Sequence, residues 1–531
     1  MSSDSAAPPA SRIDRILGVV ERVGNRVPNP LVLFAGLFVI ILGLSAVLSA
    51  VGVSTVVPGS PDAVEVRSAL APSALVELAS TAVENFVTFP ALGPVLVVLL
   101  GIGVAQGSGG LEALVRLLFS RVPAKLAPYA VALVAAQGHV MSDASMIVIP
   151  PLAALIFRAV GRNPLAGLMG SFSVVAAGYG GGVLVGTLDV SFSGITQSAA
   201  EMVDIAAPPS HVLMNWFFAA ATGLILPLVG GFIIDRVLEP RLRMYLPSAP
   251  ANDDAADNDS DDAAAATDTP DHRITPHERK AVLISVGTTA IAFAMLIASA
   301  LIPGSPWQGE DGGLVRSPLM SSLPVVISTL FFVFGFTYVR AVRRRGERGE
   351  GQDSLTLMQK SVAGMASFIV LMFVVAQTLA VLDYSNLAVV LAVQLSSLIE
   401  TLNIGGFGAL VILILISCVL NVLITSGAGL WSLEATVVVP ALMLSGLSPA
   451  VIQAAHRIGD SVSTPLSPMT IYLWLVLAMA KQWAPDMRLG TFVTRILPFA
   501  PAFLVAWTGI LAVFYFADLP VGPGMSVHLA P

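Results

Sequence analysis

Long apolar windows without a charged residue recur along the whole sequence. The first runs from Leu31 to Val51, and about 20 such residues suffice to cross the hydrocarbon core of a bilayer. Similar windows lie between Glu84 and Glu112, Arg162 and Asp189, Asp204 and Asp235, Lys280 and Glu310, Arg316 and Arg340, Lys360 and Asp383, Glu400 and Glu434, Asp460 and Lys481, and Arg495 and Asp518. Charged residues make up only 11% of the chain, whereas soluble domains carry about 25%. The pattern predicts an all-α polytopic membrane protein.

Basic residues are concentrated in a few polar segments, and these predict the orientation in the membrane. The basic segments are the N-terminal arm and the stretches around Arg121, Arg241, Arg344 and Arg488. We expect them to be cytoplasmic, and we expect the weakly basic stretches 52–88 and 303–318 to be external. A cytoplasmic N-terminus and an external C-terminus require an odd number of crossings. We therefore predict about nine transmembrane helices, in the inner membrane.

Charge and hydropathy also divide the chain into segments. The segments are a cytoplasmic N-terminal arm (1–30), a first membrane half (31–235), a cytoplasmic Asp-rich linker (236–280), a second membrane half (281–517) and an external tail (518–531). Eight aspartates and no apolar periodicity between Ala249 and Asp271 indicate a disordered spacer, with ion binding as the alternative. The single cysteine, Cys418, excludes a disulfide framework and a cysteine-based metal site. No basic tract indicates nucleic-acid binding.

Each half contains the same succession of interrupted segments. The first half has small polar residues at 138–145, an apolar stretch with Pro150-Pro151, then Asn163-Pro164 and a span broken at 178–182. The second half has them at 425–431, a stretch with Pro440, then Ser448-Pro449 and a span broken within 457–468. Paired breaks of this kind are typical of a secondary transporter with a midplane binding site. We predict two inverted-repeat-like halves, with re-entrant helical hairpins at about 140–161 and 426–447; ordinary kinked helices are the alternative.

Three charged residues, Asp189, Arg457 and Asp460, lie inside otherwise apolar spans. A charge at the bilayer centre costs roughly 3 kcal/mol or more, so such residues usually face the interior and serve function. Arg457 could offer its guanidinium fork to a substrate carboxylate. Asp460, with Asn421 and freed carbonyls, could hold Na⁺ or carry a proton, and Asp189 is the matching acid of the first half. A purely structural ion pair is the alternative.

Several neutral residues near the breaks are further candidates. Trp431 could stack on an aromatic substrate, or could be core packing. Ser142, Asp143, Ser426 and Gly427 fall at the predicted hairpin tips, where they could bind ligand or cap helices. His139 and His456 also lie near the breaks, and a histidine inside a membrane more often hydrogen bonds to a neighbouring backbone group than relays protons.

The residues around the breaks resemble those of a known family. The motif Gly186-Thr187-Leu188-Asp189, followed by 193–197, and the order and spacing of Trp431, Pro449, Arg457, Asp460 and Pro468 resemble the AbgT (aminobenzoyl-glutamate transporter) family. The resemblance extends over about 17–517. It implies a homodimer with nine transmembrane helices and two re-entrant hairpins per protomer. It also implies coupling to a Na⁺ or H⁺ gradient and transport of p-aminobenzoyl-glutamate, with sulfonamide export in some members.

The resemblance also implies roles for individual residues. The substrate-binding positions map onto Asp189, Trp431, Pro449, Arg457 and Pro468, and Ser426 could substitute for a tip serine that is Ala428 here. The Na⁺-associated positions map onto Asn421 and Asp460. No cofactor other than Na⁺ is expected.

Other functions are compatible with parts of the pattern. A proton-driven exporter of sulfonamide antimetabolites would use the same site, and sequence does not distinguish uptake from efflux. An intramembrane aspartyl protease would pair Asp189 with Asp460, but the Gly-x-Gly-Asp signature lacks its first glycine at Arg457-Ile458-Gly459-Asp460. A channel lacks an evident ring of pore-lining charges. No nucleotide-binding Gly-x-x-x-x-Gly-Lys-Ser/Thr loop occurs, so we expect a gradient-driven transporter and not an enzyme.

Overall fold

The structure is a computed structural model, and most of the chain that it describes is helical. It describes residues 30–56, 63–90, 92–119, 122–141, 143–203, 205–242, 274–310, 312–314, 317–343, 354–402 and 404–529. The predicted N-terminal arm (except Pro30), most of the Asp-rich linker and Ser142 lie outside these ranges.

Helices of the first half precede the linker, together with one short antiparallel strand pair in which Thr55 lies opposite Val64. The elements are α1 Pro30–Val51, β1 Ser54–Val56, β2 Ala63–Glu65, α2 Pro72–Val87, α3 Leu92–Gly107, α4 Gly110–Phe119, α5 Ala127–Ala136, α6 Ala144–Ala159, α7 Pro164–Ala177, α8 Thr187–Ala200 and α9 Trp216–Ile233. Helix α9 continues through a π turn to Arg241, so it extends beyond the predicted boundary at residue 235.

Helices of the second half follow the linker. They are α10 Pro276–Leu301, α11 Leu323–Arg343, α12 Ser354–Gly364, α13 Ala366–Tyr384, α14 Leu387–Thr401, α15 Gly406–Asn421, α16 Gly427–Leu444, α17 Pro449–Val462, α18 Ile471–Ala480, α19 Leu489–Ile496 and α20 Phe499–Phe516. The tail after α20 turns back onto the fold, where Val527 O accepts a hydrogen bond of 2.9 Å from Ser448 N.

Seven helical stretches among the described residues are long and apolar enough to cross a membrane, or up to nine if two bent helix pairs each count once. The bent pairs are 354–364 with 368–384, at 46°, and 449–466 with 471–480, at 41°. Apolar side chains such as Val39 on α1 and Ile291 on α10 are exposed, as expected of lipid-facing helices. The predicted class of a mostly helical, polytopic membrane protein is thus confirmed, and the count of nine crossings stays a prediction.

Two helices, α7 and α17, form the centre of the fold, because all residues of both are buried. Each begins with a capping side chain followed by proline, the arrangement that suits a helix start. Asn163 Oδ1 accepts from Leu165 N at 3.0 Å, and Ser448 Oγ accepts from Val451 N at 3.3 Å. A polar cap lets each helix begin inside protein without leaving its first N–H groups unpaired.

The central helices begin at opposite ends of the molecule. Asn163 Nδ2 donates to Leu242 O, 2.9 Å away, just beyond the end of α9. The other end of α9 adjoins the tail, since Phe218 N donates to Val521 O at 3.1 Å, and the tail also holds Ser448. The stretch 216–241 has 26 residues, or about 39 Å of helix, and that length separates the two starting points.

The ranges predicted as hairpins each contain a single helix and not two limbs. The range 140–161 holds α6, and the range 426–447 holds α16. In both cases another helix, α5 of 10 residues or α15 of 16 residues, ends just before the range and packs on the helix that follows. The small polar residues therefore mark the turn between two helices, and the re-entrant hairpins stay a prediction.

Candidate functional site

Both central helices end at a break near the middle of the fold, and the two breaks touch. Residues 178–186 follow α7, and the turn Thr464–Leu466 follows α17. Gly180 N donates to Ser461 Oγ at 2.8 Å, so a backbone group released by the first break is satisfied by the second half. This contact places the predicted broken spans of the two halves in one location.

Helix N-termini converge in pairs around these breaks. The start of α8 lies beside the start of α16, where a Cβ on Gly427 would be 3.4 Å from Leu188 Cδ1. The start of α6 lies beside the start of α18, where the Tyr472 side chain adjoins the carboxylate of Asp143. Because helix N-termini carry partial positive charge, the region favours anionic groups.

Arg457 and Asp189 form a buried ion pair between α17 and α8. Arg457 Nη1 lies 2.7 Å from Asp189 Oδ1 and also donates to Gly180 O at 3.2 Å. Its Nε and Nη2 donate to Gln453 Oε1 at 3.3 and 3.2 Å. Asp189 Oδ2 in turn accepts from Gly186 N at 2.8 Å at the start of α8. The guanidinium fork predicted for a substrate is therefore engaged by protein groups in this conformation.

A neutral hydrogen-bond chain continues from the ion pair. Gln453 Oε1 accepts from Asn215 Nδ2 at 2.5 Å, and Gln453 Nε2 donates to Thr196 Oγ1 at 2.6 Å. Thr196 Oγ1 also accepts from Trp431 Nε1 at 3.0 Å. Sequence reasoning missed Gln453 and Asn215, although Gln453 lies four residues before Arg457 and therefore on the same face of α17.

Trp431 lies in the first turn and a half of α16, fully buried between aromatic neighbours. Its ring centroid is 4.5 Å from that of His456 and 6.3 Å from that of Phe192. Phe192 also lies under the guanidinium of Arg457, 5.2 Å from its Cζ. Trp431 is thus part of the protein interior in this conformation, so stacking on a substrate requires a rearrangement of these rings.

A second buried pair of titratable side chains, Glu434 with His456, was missed by sequence reasoning. His456 Nδ1 lies 2.7 Å from Glu434 Oε2, which also accepts from Ser417 Oγ at 2.7 Å. The signal was present, because Glu434 is the one charged residue of an apolar helix. In the hydropathy pattern, Glu434 was interpreted only as the end of an apolar window.

The predicted ion-binding residues adjoin each other at the second break. Asn421 Nδ2 donates to the backbone carbonyl of Asp460, to Ser463 Oγ at 2.9 Å and to Thr464 Oγ1 at 3.0 Å. The Asp460 side chain is directed at the start of α16, since a Cβ on Gly427 would lie 3.0 Å from Asp460 Oδ2. Carboxylate and amide oxygens are of the kind that a hard cation such as Na⁺ prefers, and Asp460 and Asn421 carry them. In this conformation Asn421 presents its amide nitrogen to the neighbouring oxygens.

The remaining predicted site residues have structural roles in this conformation. Ser426 Oγ caps α16 by accepting from Gly429 N at 3.2 Å. Asp143 Oδ1 accepts from the Tyr179 hydroxyl at 3.3 Å, and Pro468 O accepts from Trp474 Nε1 at 2.8 Å. Pro449 is the first residue of α17, eight residues or about 12 Å of helix from Arg457, and so is not brought together with the ion pair.

Two broken central helices meeting at buried charges, within a polytopic helical membrane protein, define a transporter. A sequence model of the AbgT putative transporter family matches residues 15–529. The p-aminobenzoyl-glutamate transport protein of Escherichia coli (strain K12) is 34% identical over 535 residues, which cover 99% of this chain and 100% of that protein. The chain belongs to the AbgT family, so the resemblance noted in the sequence is confirmed, and the protein is a transporter and not a protease.

Two solved structures share the fold. The Alcanivorax borkumensis YdaH transporter superposes with a TM-score of 0.82 at 31% identity, covering 93% of this chain and 100% of that one. Neisseria gonorrhoeae MtrF, described as illuminating a class of antimetabolite efflux pumps, superposes with a TM-score of 0.84 at 33% identity, covering 96% and 100%.

Proposed function

We propose that this chain is a secondary active transporter of p-aminobenzoyl-glutamate or a related anionic aromatic amide. The name of the Escherichia coli relative supports the substrate class. The observation that carries the proposal is the buried Arg457–Asp189 pair at the meeting point of the two broken helices. A guanidinium held there recognises a carboxylate. The converging helix N-termini also favour a negatively charged group.

The substrate carboxylate would compete with Asp189 for Arg457. In the described conformation Asp189 holds the fork, which keeps the site closed without leaving a buried charge unpaired. A glutamyl carboxylate that replaces Asp189 at Arg457 Nη1 releases the start of α8 from α17. The aminobenzoyl ring then takes the place of a protein ring against Trp431. Binding of the substrate carboxylate and opening of the site are therefore one event, in which Arg457 exchanges Asp189 for the substrate.

Coupling is proposed to come from a Na⁺ or H⁺ gradient acting at the second break. Asn421 and Asp460 would hold Na⁺, or Asp460 would carry the proton. The carboxylate beside the start of α16 links the occupancy of this site to the position of that helix. An ion that neutralises Asp460 removes a charge from the interior, which favours the closed arrangement.

The two halves are proposed to be inverted repeats that rock about the shared breaks. The opposite starting points of α7 and α17 support an inverted relation. In this scheme α5 with α6, and α15 with α16, are the two re-entrant hairpins. The N-terminus is cytoplasmic and the C-terminus external in the inner membrane, and the functional unit is a homodimer, as expected for the family.

Export of sulfonamide antimetabolites is the second candidate function. It is favoured by the 33% identity to MtrF, whose structure is associated with antimetabolite efflux pumps. Export driven by protons would use the same buried groups with the opposite coupling. Sulfonamide resistance conferred on a sensitive host, together with no p-aminobenzoyl-glutamate uptake, would favour this function over the first.

The test is flux of labelled p-aminobenzoyl-glutamate into liposomes that contain the purified protein. Na⁺ and H⁺ gradients are imposed independently. We expect Arg457→Lys to reduce flux at least tenfold, because lysine keeps the charge and loses the planar fork. Arg158→Lys, at an exposed position on α6, is the matched control and should keep its flux. Equal flux in the two variants would contradict the carboxylate exchange at Arg457.

A further inference from the structure

Glu434 and His456 form a pair that the proposed function does not use. The residues are 6% and 0% exposed, and Nδ1 of the imidazole lies 2.7 Å from Oε2 of the carboxylate. A nitrogen and an oxygen this close share a proton, because two lone pairs would repel. The pair therefore exists either as neutral imidazole with carboxylate or with one more proton, as imidazolium with carboxylate or imidazole with carboxylic acid.

One atom of each partner has no hydrogen bond from the described part of the chain. These atoms are Glu434 Oε1 and His456 Nε2, both fully buried. Buried polar atoms are nearly always paired, so an unpaired one needs a reason. A ring nitrogen without a donor or acceptor partner is free to gain or lose a proton without breaking an existing bond.

Charge balance in this interior favours added cations. On the helices that contribute or directly adjoin the pair, the titratable groups are Asp189 on α8, Cys418 on α15, and Arg457 and Asp460 on α17, in addition to the pair itself. The other packed helices, α13, α14 and α20, carry titratable groups only in their last two residues: Asp383, Tyr384, Glu400 and Tyr515. Three ionised carboxylates against the guanidinium of Arg457 leave two negative charges when His456 is neutral. Buried charge without a counter-charge is strongly unfavourable. One proton on the pair removes one of the two negative charges.

We propose that Glu434 and His456 bind a transported proton, at a site separate from Asn421 and Asp460. The proposal rests on the proposed transport function and assigns H⁺ as a coupling ion, whichever cation Asp460 holds. The pair of neutral imidazole and carboxylate gains one proton at His456 Nε2 and so loses its net negative charge, while Nδ1–H stays directed at Glu434 Oε2. Release of that proton to the opposite side restores the starting pair, so one H⁺ crosses per cycle.

The position of the pair connects its proton to the substrate site. The His456 ring stacks on Trp431 at 4.5 Å, and His456 precedes Arg457 on α17. Protonation changes the stack from two neutral rings to a cation on an aromatic face, and it adds positive charge next to the guanidinium. An anionic substrate therefore binds more tightly to the protonated protein, which is the differential affinity that coupling requires.

The first test does not depend on transport. Intrinsic tryptophan fluorescence of the purified protein is titrated between about pH 5 and 9, and the same titration of Trp431→Phe is subtracted. The difference curve reports the fluorescence of Trp431. The imidazole of His456 quenches that fluorescence when the imidazole is protonated. We expect a single transition that Glu434→Gln displaces by at least about one pH unit. A difference curve without a transition, or one that Glu434→Gln leaves in place, overturns the proposal.

The second test compares driven uptake with exchange in liposomes. We expect Glu434→Gln to lower the ratio of pH-gradient-driven accumulation to substrate exchange at least tenfold, since exchange requires no net proton release. Glu112→Gln, at an exposed position on α4, should keep the wild-type ratio. A retained ratio in Glu434→Gln overturns the proton site. Absence of exchange in the wild-type protein would instead refute the proposed substrate, and the fluorescence titration would still decide on the proton site.

Discussion

Arg457 Nη1 and Asp189 Oδ1 lie 2.7 Å apart although 268 residues separate them in the sequence. The contact joins the first break of one half to the central helix of the other. Since Asp189 also holds the backbone of Gly186, the pair fixes where α8 begins. A ligand that takes Arg457 away from Asp189 therefore acts on the geometry of a helix start and not only on a side chain.

Removing one partner of this pair should cost more than removing both. Arg457→Gln leaves the Asp189 carboxylate buried without its counter-charge, which we expect to destabilise the protein by about 3–5 kcal/mol. The double variant Asp189→Asn, Arg457→Gln should recover most of that loss, while transport stays abolished. Thermal unfolding in detergent measures the first effect and liposome flux the second. A double variant no more stable than Arg457→Gln would contradict the pairing.

Thr196 should be important for stability because its hydroxyl accepts two buried hydrogen bonds, from Gln453 and Trp431. Thr196→Val keeps the shape and leaves both donors unsatisfied, at about 1–3 kcal/mol each. The control Ser198→Ala removes a hydroxyl that bonds only within its own helix, and it should change stability by less than about 0.5 kcal/mol. Chemical or thermal unfolding compares the stability of the two variants. Equal losses of stability would refute the role of the hydrogen bonds that Thr196 accepts from Gln453 and Trp431.

Gly459 should not tolerate a methyl group. A Cβ there would lie 2.4 Å from Ser417 Cβ and 2.5 Å from the backbone carbonyl of Ile414. Gly459→Ala should therefore separate α17 from α15 and cost about 1–3 kcal/mol. It should also move Asp460 and lower flux. Gly509→Ala on α20, where nothing lies within 4 Å, is the control and should be neutral or slightly stabilising.

If Asp460 and Asn421 hold Na⁺, the ion should stabilise the folded protein. At about 100 times its dissociation constant, a ligand specific for the folded state adds about 2.7 kcal/mol. We expect Na⁺, compared with choline, to raise the unfolding temperature of the wild-type protein and of Asp486→Asn, which alters an exposed residue. Asp460→Asn should lose the effect. A Na⁺ response that persists in Asp460→Asn would place the ion elsewhere.

His211 should make stability fall at mildly acidic pH. Burial lowers its pKa from the ordinary value of 6.5, and the hydrogen bond to the Pro523 carbonyl offsets part of that shift. Its Nδ1 already accepts from Leu213 N at 3.2 Å, so protonation breaks a bond. The unfolded chain takes up the proton first, so stability is complete above about pH 6.5 and is lost as pH falls through the lower pKa of the folded state.

The measurement for His211 is the unfolding temperature as a function of pH. His211→Gln should flatten the curve between about pH 7 and 5, and His277→Gln, at an exposed position on α10, should not. Curves that coincide for wild type and His211→Gln would show that this histidine keeps its ordinary pKa.

Hydropathy and helix breakers predicted much of the fold because they act locally. Apolar runs marked the long spans, and Asn163-Pro164 and Ser448-Pro449 marked the starts of the two central helices. Small polar residues indicate a turn without indicating which helices flank it, so the two hairpins stay a prediction. The number of crossings stays open for a related reason, since bent pairs such as α17 with α18 read as one span or two.

Pairing inside the site could not be predicted because it depends on contacts far apart in sequence. Asp189 and Arg457 were each recognised as buried charges, but their contact follows from the meeting of α8 with α17. Trp431 was recognised as a candidate, while its stacking on His456 depends on the packing of α16. Glu434 was missed because one charge in a long run of apolar residues was treated as the end of a span.

The contacts between the halves have a consequence for how the protein is made. Several polar groups of the first half have their hydrogen-bond or ion-pair partners between Trp431 and Ser461. They belong to Gly180, Asp189, Thr196 and Asn215. During synthesis the first half enters the membrane while those partners are still untranslated. Its polar groups must then be covered by water, lipid headgroups or a chaperone of the insertion machinery. Ribosome-stalled chains that end before α17 should therefore be recognised by cellular quality control as unfinished.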